Sequence, residues 1–331
     1  MFRYILKRLL YAIPVFLGIT FVIYTLINLA PGGPLSVLAA SGEMSLSDLE
    51  ALKISMGLDK PIVIRYFIWL GDLLHGDFGI SYRTSQEVSL MISQRIMPSL
   101  MLTGTGILAA MLVGVSLGII SAYKPNSVWD HISTFVSFIG ASVPNFFLSL
   151  LLIYVLAVKL KWFPTSGMQS SGMSGNLLDL LHHLALPAFV CGIQPIGNYI
   201  KQTRSSVLEV LNEEYIKTAR SKGIPEWKVY LKHGFRNAMK PVLVILVFRI
   251  PMLVGGSVVI ESVFSYPGIG LTMTNAIVSG DYPIVLVTTL LIAAALSCFC
   301  GSIREALVAR GIPFRAIRAQ GTGTKEPNAD G

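Results

Sequence analysis

The stretch Leu100-Met-Leu-Thr-Gly-Thr-Gly-Ile-Leu-Ala-Ala-Met-Leu-Val-Gly-Val-Ser-Leu-Gly-Ile-Ile-Ser-Ala-Tyr123 runs for 24 residues without a charged side chain. About 20 mostly apolar residues in a helix cross the hydrocarbon core of a bilayer. Reading this stretch as a membrane span decides the fold, because comparable runs recur along the chain. They are Leu9–Ala30 and the segments near 132–160, 182–200, 241–262 and 283–302.

Composition agrees. Of 331 residues, 53% are hydrophobic and 13% charged, with mean hydropathy +0.65. A soluble domain has about a quarter of its residues charged. Half that share leaves too little polar surface to cover a water-exposed globule. An ordinary soluble enzyme, a disordered chain and a fibrous repeat are excluded. The expectation is an all-α integral membrane protein with six transmembrane helices. Cleavage of the first span as a signal peptide is the rival reading, with small residues at Leu38-Ala39-Ala40-Ser41. The apolar run is too long for a signal core, and Pro31-Gly-Gly-Pro34 intervenes. Pro144, inside Ser142-Val-Pro-Asn145, predicts a kink or break in the third span. Pro187 and Pro195 in the fourth are tolerable where neighbouring helices satisfy the freed carbonyls.

Six spans put both termini on one side. That side carries 18 basic residues and the other seven, so both termini are expected in the cytoplasm. The net charge of +8 then marks cytoplasmic loops rather than a nucleic-acid partner. The expected organisation is a cytoplasmic N-terminus and first helix (1–30), an extracytoplasmic segment (31–99), a transmembrane core (100–302) and a cytoplasmic tail (303–331). Within the extracytoplasmic segment, Val88–Met97 is amphipathic and reads as a separate helix on the membrane surface. The tail after Arg318 is small and polar and reads as unstructured.

Chemistry is sparse. There is no Gly-x-x-x-x-Gly-Lys-Ser/Thr phosphate loop, no His-Glu-x-x-His and no Gly-x-Ser-x-Gly. Cys191, Cys298 and Cys300 lie in apolar stretches and read as inert thiols, so neither a metal site nor a cofactor is expected. His182 and His183 read as interfacial anchors at a helix mouth. The ionisable groups within the spans are Arg249 and, near an end, Glu261. A proton-driven carrier needs buried acids as relays, and an intramembrane enzyme needs a nucleophile and base on facing spans. Neither pattern is present, so the energy source is expected on another polypeptide.

Residues 201–240 carry nine bases and four acids between two spans. In Glu214-Tyr-Ile-Lys-Thr-Ala-Arg-Ser-Lys-Gly223 the acid precedes Lys217, Arg220 and Lys222, which favours a short helix. Gly223 suits a C-cap, and Pro225 prevents continuation. Tyr215, Ile216 and Ala219 form an apolar side too small to fold alone, which predicts a partner groove. A basic loop resting on anionic lipid is the alternative.

That stretch, with Lys232-His-Gly-Phe-Arg-Asn-Ala-Met-Lys-Pro241, resembles the coupling loop of binding-protein-dependent ABC importer permeases. More narrowly, it resembles the first permease subunit of dipeptide, oligopeptide and nickel importers. The opening Arg3–Pro34, Gly57-Leu-Asp-Lys-Pro61, Gly76-Asp-Phe-Gly-Ile-Ser81 and Trp162-Phe-Pro-Thr-Ser-Gly167 are similar to that family too. So are Gly255-Gly-Ser-Val-Val-Ile-Glu-Ser-Val-Phe-Ser-Tyr-Pro-Gly-Ile-Gly270 and Asp281-Tyr-Pro283. The family's Glu-Ala-Ala coupling motif aligns on Lys217, Thr218 and Ala219, with Gly223 matching and Lys in place of Glu. The C-terminal Ala309-Arg-Gly-Ile-Pro-Phe-Arg315 departs from the family's usual ending.

The resemblance implies a type I ABC importer permease fold in the bacterial cytoplasmic membrane. It implies a second homologous permease subunit, two cytoplasmic ATPase subunits, an extracytoplasmic solute-binding protein and a peptide substrate, with a nickel or metallophore substrate as the alternative. Coupling residues would be Glu214, Tyr215, Ile216, Lys217, Thr218, Ala219, Arg220 and Gly223. Arg249 would line the translocation path or bond carbonyls between helices. Glu261, Tyr266, Pro267 and Gly268 would form an outer gate.

Overall fold

The computed structural model describes residues 2–29, 47, 50, 54, 57–173, 175–225, 228, 229 and 234–309. The C-terminal departure and the tail after Arg318 fall almost wholly outside them. Helix α1 covers Phe2–Leu29 and α2 covers Ile62–Leu74. Helix α3, Val88–Tyr123, takes in both the expected surface helix and the second span as one rod. Its 36 residues rise about 54 Å. The expected separation of Val88–Met97 from the span over 100–123 does not occur, for a reason of packing. Val88 and Ile92 are buried against Ala276, Ile284, Val285 and Val287, so the first turns of α3 are anchored in protein instead of lying on the membrane surface.

Helix α4, Val128–Ser142, starts at Ser127, whose hydroxyl accepts from the Asp130 N–H. Val143 and Pro144 end it. The chain resumes as α5, Asn145–Leu152, and continues as a π-helical turn over Ile153–Lys159. The two halves are bent by 104° at the proline, where the sequence places a break. Helix α6, Leu177–Leu211, is capped by the Asn176 side chain, which accepts from the N–H groups of Leu178 and Asp179. Pro187 and Pro195 lie inside it without ending it. It outruns the expected fourth span, so residues 201–211 are helix rather than loop.

Helix α7, Glu214–Ser221, follows, then α8, Arg236–Gly255. Gly256, at φ +64° and ψ −176°, stops α8, so the expected fifth span divides. Its remainder is α9, Val258–Val263, succeeded by α10, Ile269–Val278, and α11, Tyr282–Ala309.

Among the described residues, α3 and α6 are long and apolar enough to cross a membrane, and the bent α4–α5 pair makes a third candidate. Shorter apolar stretches occupy Phe16–Leu29, Asn237–Leu246, Ile269–Val278 and Tyr282–Ala295. The α3–α6 pair forms the centre of the molecule, and small residues set its spacing. A methyl carbon added at Gly114 would lie 2.6 Å from the Tyr199 Cβ, and one at Gly118 would lie 2.6 Å from the Thr203 Cβ. At Gly106 it would lie 2.8 Å from the Cys191 Cβ. Together with buried Ala110, these residues recur every fourth position and bring the backbones together. This is how membrane helices associate where apolar surface alone gives no preference for protein over lipid.

Candidate coupling and gate sites

Helix α7 forms as its charges predict. Lys217 Nζ lies 2.7 Å from Glu214 Oε1, an exposed pair that contributes little. The Gly223 N–H donates to the Arg220 carbonyl at 2.9 Å, and Gly223 adopts φ +71°, the left-handed geometry that suits a glycine after a helix. The apolar side does not await a separate protein. Ile216 is 0% exposed and Ala219 6%. Both pack against Ala122 at the end of α3, Val207 and Leu211 of α6, Val229, and Ala238 of α8. The groove that α7 needs is therefore supplied by its own chain, which corrects the expectation of an outside partner for that face. Tyr215 turns outward, and its hydroxyl accepts from Asn237 Nδ2 at 3.0 Å. Glu214, Lys217, Thr218 and Arg220 lie on the solvent side with it.

Above α7, a cluster ties three helices. Arg204 of α6 donates through Nε to Asp130 Oδ1 at 3.0 Å and through Nη2 to Oδ2 at 2.9 Å. Ser121 of α3 donates to the same carboxylate, and the Asn126 N–H adds a bond at 2.9 Å. Two-pronged arginine–carboxylate pairing fixes geometry as well as energy. Sequence reading missed this cluster, although Ser127-Val-Trp-Asp130 has the form of a capping box.

The residues expected at an outer gate are brought together, but not around an open path. Glu261 is 0% exposed. Its Oε1 accepts from the Ser99 hydroxyl at 2.8 Å, and Oε2 accepts from the Leu271 N–H at 3.1 Å. Ser99 accepts in turn from the Ile269 N–H at 2.7 Å. The carboxylate thus caps the N-terminus of α10, and Ser99 joins α3 to the same turn. Gly256, Gly268 and Gly270 surround it so closely that a Cβ at any of them would collide with the Glu261 side chain. Tyr266 is fully buried, and Arg95 Nη1 donates to the Pro267 carbonyl at 3.5 Å. A side chain with no exposed surface touches no passing solute in this conformation. Glu261 and Tyr266 hold the segment in shape.

A second carboxylate, Asp281, is 2% exposed and accepts from the Ser81 hydroxyl and, at 3.1 Å, from the Tyr82 N–H. It pins the Gly76–Ser81 motif to the start of α11. Arg249 lies half-buried in α8. Cys191 is a free thiol.

These features define a helical membrane protein. Residues 114–312 match the family described as binding-protein-dependent transport system inner membrane component, and residues 1–103 match its N-terminal family. The chain belongs to this family, whose members are permease subunits rather than enzymes. It is 40% identical over 294 residues to the oligopeptide transport system permease protein AppB of Bacillus subtilis, covering 88% of this chain and 93% of that one. A putative peptide permease protein of Brucella suis is 41% identical over 298 residues, covering 89% and 93%. The dipeptide transport system permease protein DppB of Escherichia coli is 33% identical over 317 residues, covering 89% and 94%.

Proposed function

We propose that this chain forms half of the translocation path of an ATP-driven peptide importer in a bacterial cytoplasmic membrane, beside a second homologous permease subunit. An extracytoplasmic binding protein delivers di- or oligopeptides, and two cytoplasmic ATPase subunits drive the cycle. Six spans follow from the apolar runs, and the distribution of basic residues then favours both termini in the cytoplasm. One observation carries the mechanism: α7 is divided lengthwise. Its inner side, Ile216 and Ala219, is sealed against the ends of α3, α6 and α8, and its outer side presents Glu214, Tyr215, Lys217, Thr218 and Arg220.

The outer side is the ATPase contact in this reading. Motion of the ATPases then passes through a packed joint to the spans as a rigid-body displacement. Arg249 faces the path shared by the two permeases, where water hydrates it and a peptide carboxylate can pair with it. The glycine- and proline-bounded segment over Gly256–Gly270 forms the outer gate, held by Glu261. The experiment is reconstitution of the complete importer with Lys217→Glu and Thr218→Arg together. We expect full membrane insertion and permease pairing, with loss of ATPase co-purification and peptide uptake. Normal uptake with normal ATPase binding would overturn the assignment of this face.

A further inference from the structure

Helix α2 falls in the segment 31–99 that the charge count places outside the membrane, yet its contacts lie at membrane depth. The Tyr66 hydroxyl, in a 3%-exposed side chain, is 2.8 Å from Thr20 Oγ1 and donates to the Leu17 carbonyl at 3.2 Å. Leu17 lies near the middle of the apolar run Leu9–Ala30, whichever end faces outward. The Phe21 and Tyr66 rings meet edge-on at 5.1 Å between centroids, and Tyr24 and Trp69 are 5.7 Å apart. Phe21 and Tyr24 precede Leu29, the last residue of α1, by eight and five positions, about 12 and 8 Å along the helix axis. The body of α2 therefore crosses α1 roughly 10 Å below its outer end, within the outer half of a core about 30 Å thick.

The side of α2 turned away from α1 is made for hydrocarbon. Val63, Ile64, Phe67 and Leu74 are 51%, 49%, 63% and 80% exposed. At the same level α1 presents Val22 and Leu26, exposed at 54% and 63%, to its surroundings. The two ionisable groups of α2, Arg65 and Asp72, line a cavity of about 1,210 Å³ with Lys60, His75 and Asp77. Arg65 reaches up to donate to Asn28, one residue from the end of α1, while Tyr66 reaches down. That is how an arginine and a tyrosine arrange themselves on a helix at an interface. With 13 residues, α2 is too short to cross the bilayer.

We infer that α2 is a membrane-embedded helix of the outer leaflet, with Val63, Ile64, Phe67 and Leu74 covered by lipid acyl chains and Arg65 and Asp72 turned to the water-filled cavity. The inference rests on α1 being a membrane span with its C-terminal end outward. The occupant is lipid because α2 shares its depth with the exposed stripe of α1, and because the face carries no charged or hydrogen-bonding group for a protein or peptide to read. A helix at this depth couples the outer end of the importer to bilayer thickness, since thinning would push its apolar face into the headgroup layer.

The test uses the complete importer in liposomes, with Cys191, Cys298 and Cys300 replaced and one cysteine at Phe67, Leu74, Val22 or Asp77 carrying a nitroxide label. Collision with oxygen is compared with collision with a water-soluble nickel chelate. Labels at Phe67 and Leu74 are expected to resemble the Val22 label, favouring oxygen, with the ratio reversed at Asp77. If Val22 favours oxygen while Phe67 and Leu74 favour the chelate, α2 lies in water and the inference falls. If Phe67 and Leu74 are shielded from both reagents, protein covers the face and the lipid assignment is equally wrong. A Val22 label that favours the chelate would instead refute α1 as a span, and with it the topology proposed above.

Discussion

Glu261→Ala would leave the Leu271 N–H and the Ser99 hydroxyl without their acceptor in a buried site. Each unsatisfied buried group costs about 1–3 kcal/mol. Glu261→Gln keeps an oxygen for Leu271 and should cost distinctly less. Gly268→Ala should behave like the alanine variant, because its new methyl group would occupy the space of the carboxylate. Thermal denaturation of the purified permease in detergent, followed by loss of the monodisperse species, orders the three. Equal midpoints for Glu261→Ala and Glu261→Gln would show that the hydrogen bonds do not hold the segment over Gly256–Gly270. The sequence made Glu261 and Tyr266-Pro-Gly268 legible as a group, since a lone acid beside a proline–glycine turn is conspicuous in an apolar chain. It did not reveal Ser99, because that partner lies 162 residues away and a serine inside a long apolar helix has no distinguishing neighbours. The same holds for Asp281 and Ser81, separated by 200 positions.

Among the elements, the α3–α6 seam and α7 make opposite demands on sequence. At the seam, Gly114→Ala forces a Cβ against Tyr199 at a point where both helices contribute backbone, so the rods must separate. Overpacking of this kind typically costs about 1–3 kcal/mol. Gly71→Ala in α2, where no atom lies within 4 Å of the added carbon, is the matched control and should be neutral or slightly stabilising. A comparison of folded yield and thermal midpoint decides it, and equal behaviour would remove the seam as the reason for these glycines. In α7, Ile216→Ala should destabilise the chain by about 2–5 kcal/mol, as for other large-to-small changes at fully buried sites. Thr218→Ala should leave stability within about 0.5 kcal/mol. Loss of stability in the threonine variant, or none in the isoleucine variant, would mean that the inner and outer faces of α7 are wrongly assigned. Helical charge order and the Gly223 stop signal were enough to read α7 from sequence. Its groove was not legible, since Ala122, Val207 and Ala238 are small apolar residues like dozens of others and only the fold gathers them. The break at Pro144 was legible because proline acts locally. The continuity of α3 through Pro98 was not, because distant packing on Val88 and Ile92 overrides the local signal.

At the scale of the whole molecule, Asp130 and Arg204 join the ends of α3, α4 and α6 on the side where α7 packs. Arg204 is 36% exposed, so water screens part of the attraction. A double-mutant cycle of Asp130→Asn and Arg204→Gln should give a coupling energy near 1 kcal/mol, toward the lower end for contacting pairs. Denaturant titration of the purified subunit measures it, and additive single effects would show that the pair is incidental. Class and membrane setting were readable from composition, because the energetic demands of hydrocarbon are imposed on every residue in a span. The packing of α2 on α1 was not, since the partners Thr20 and Tyr66 lie 46 positions apart and only the fold brings them together. The lengthwise division of α7 has a consequence for lineage as well as for transport. Substitutions on its outward side meet no folding penalty from the cluster around Ile216, so the contact proposed for the ATPase can vary while the packing of α7 stays the same. On the proposal that this side meets the ATPase, a chimaera grafting positions 214, 215, 217, 218 and 220 from a related importer is expected to carry that importer's ATPase preference with it.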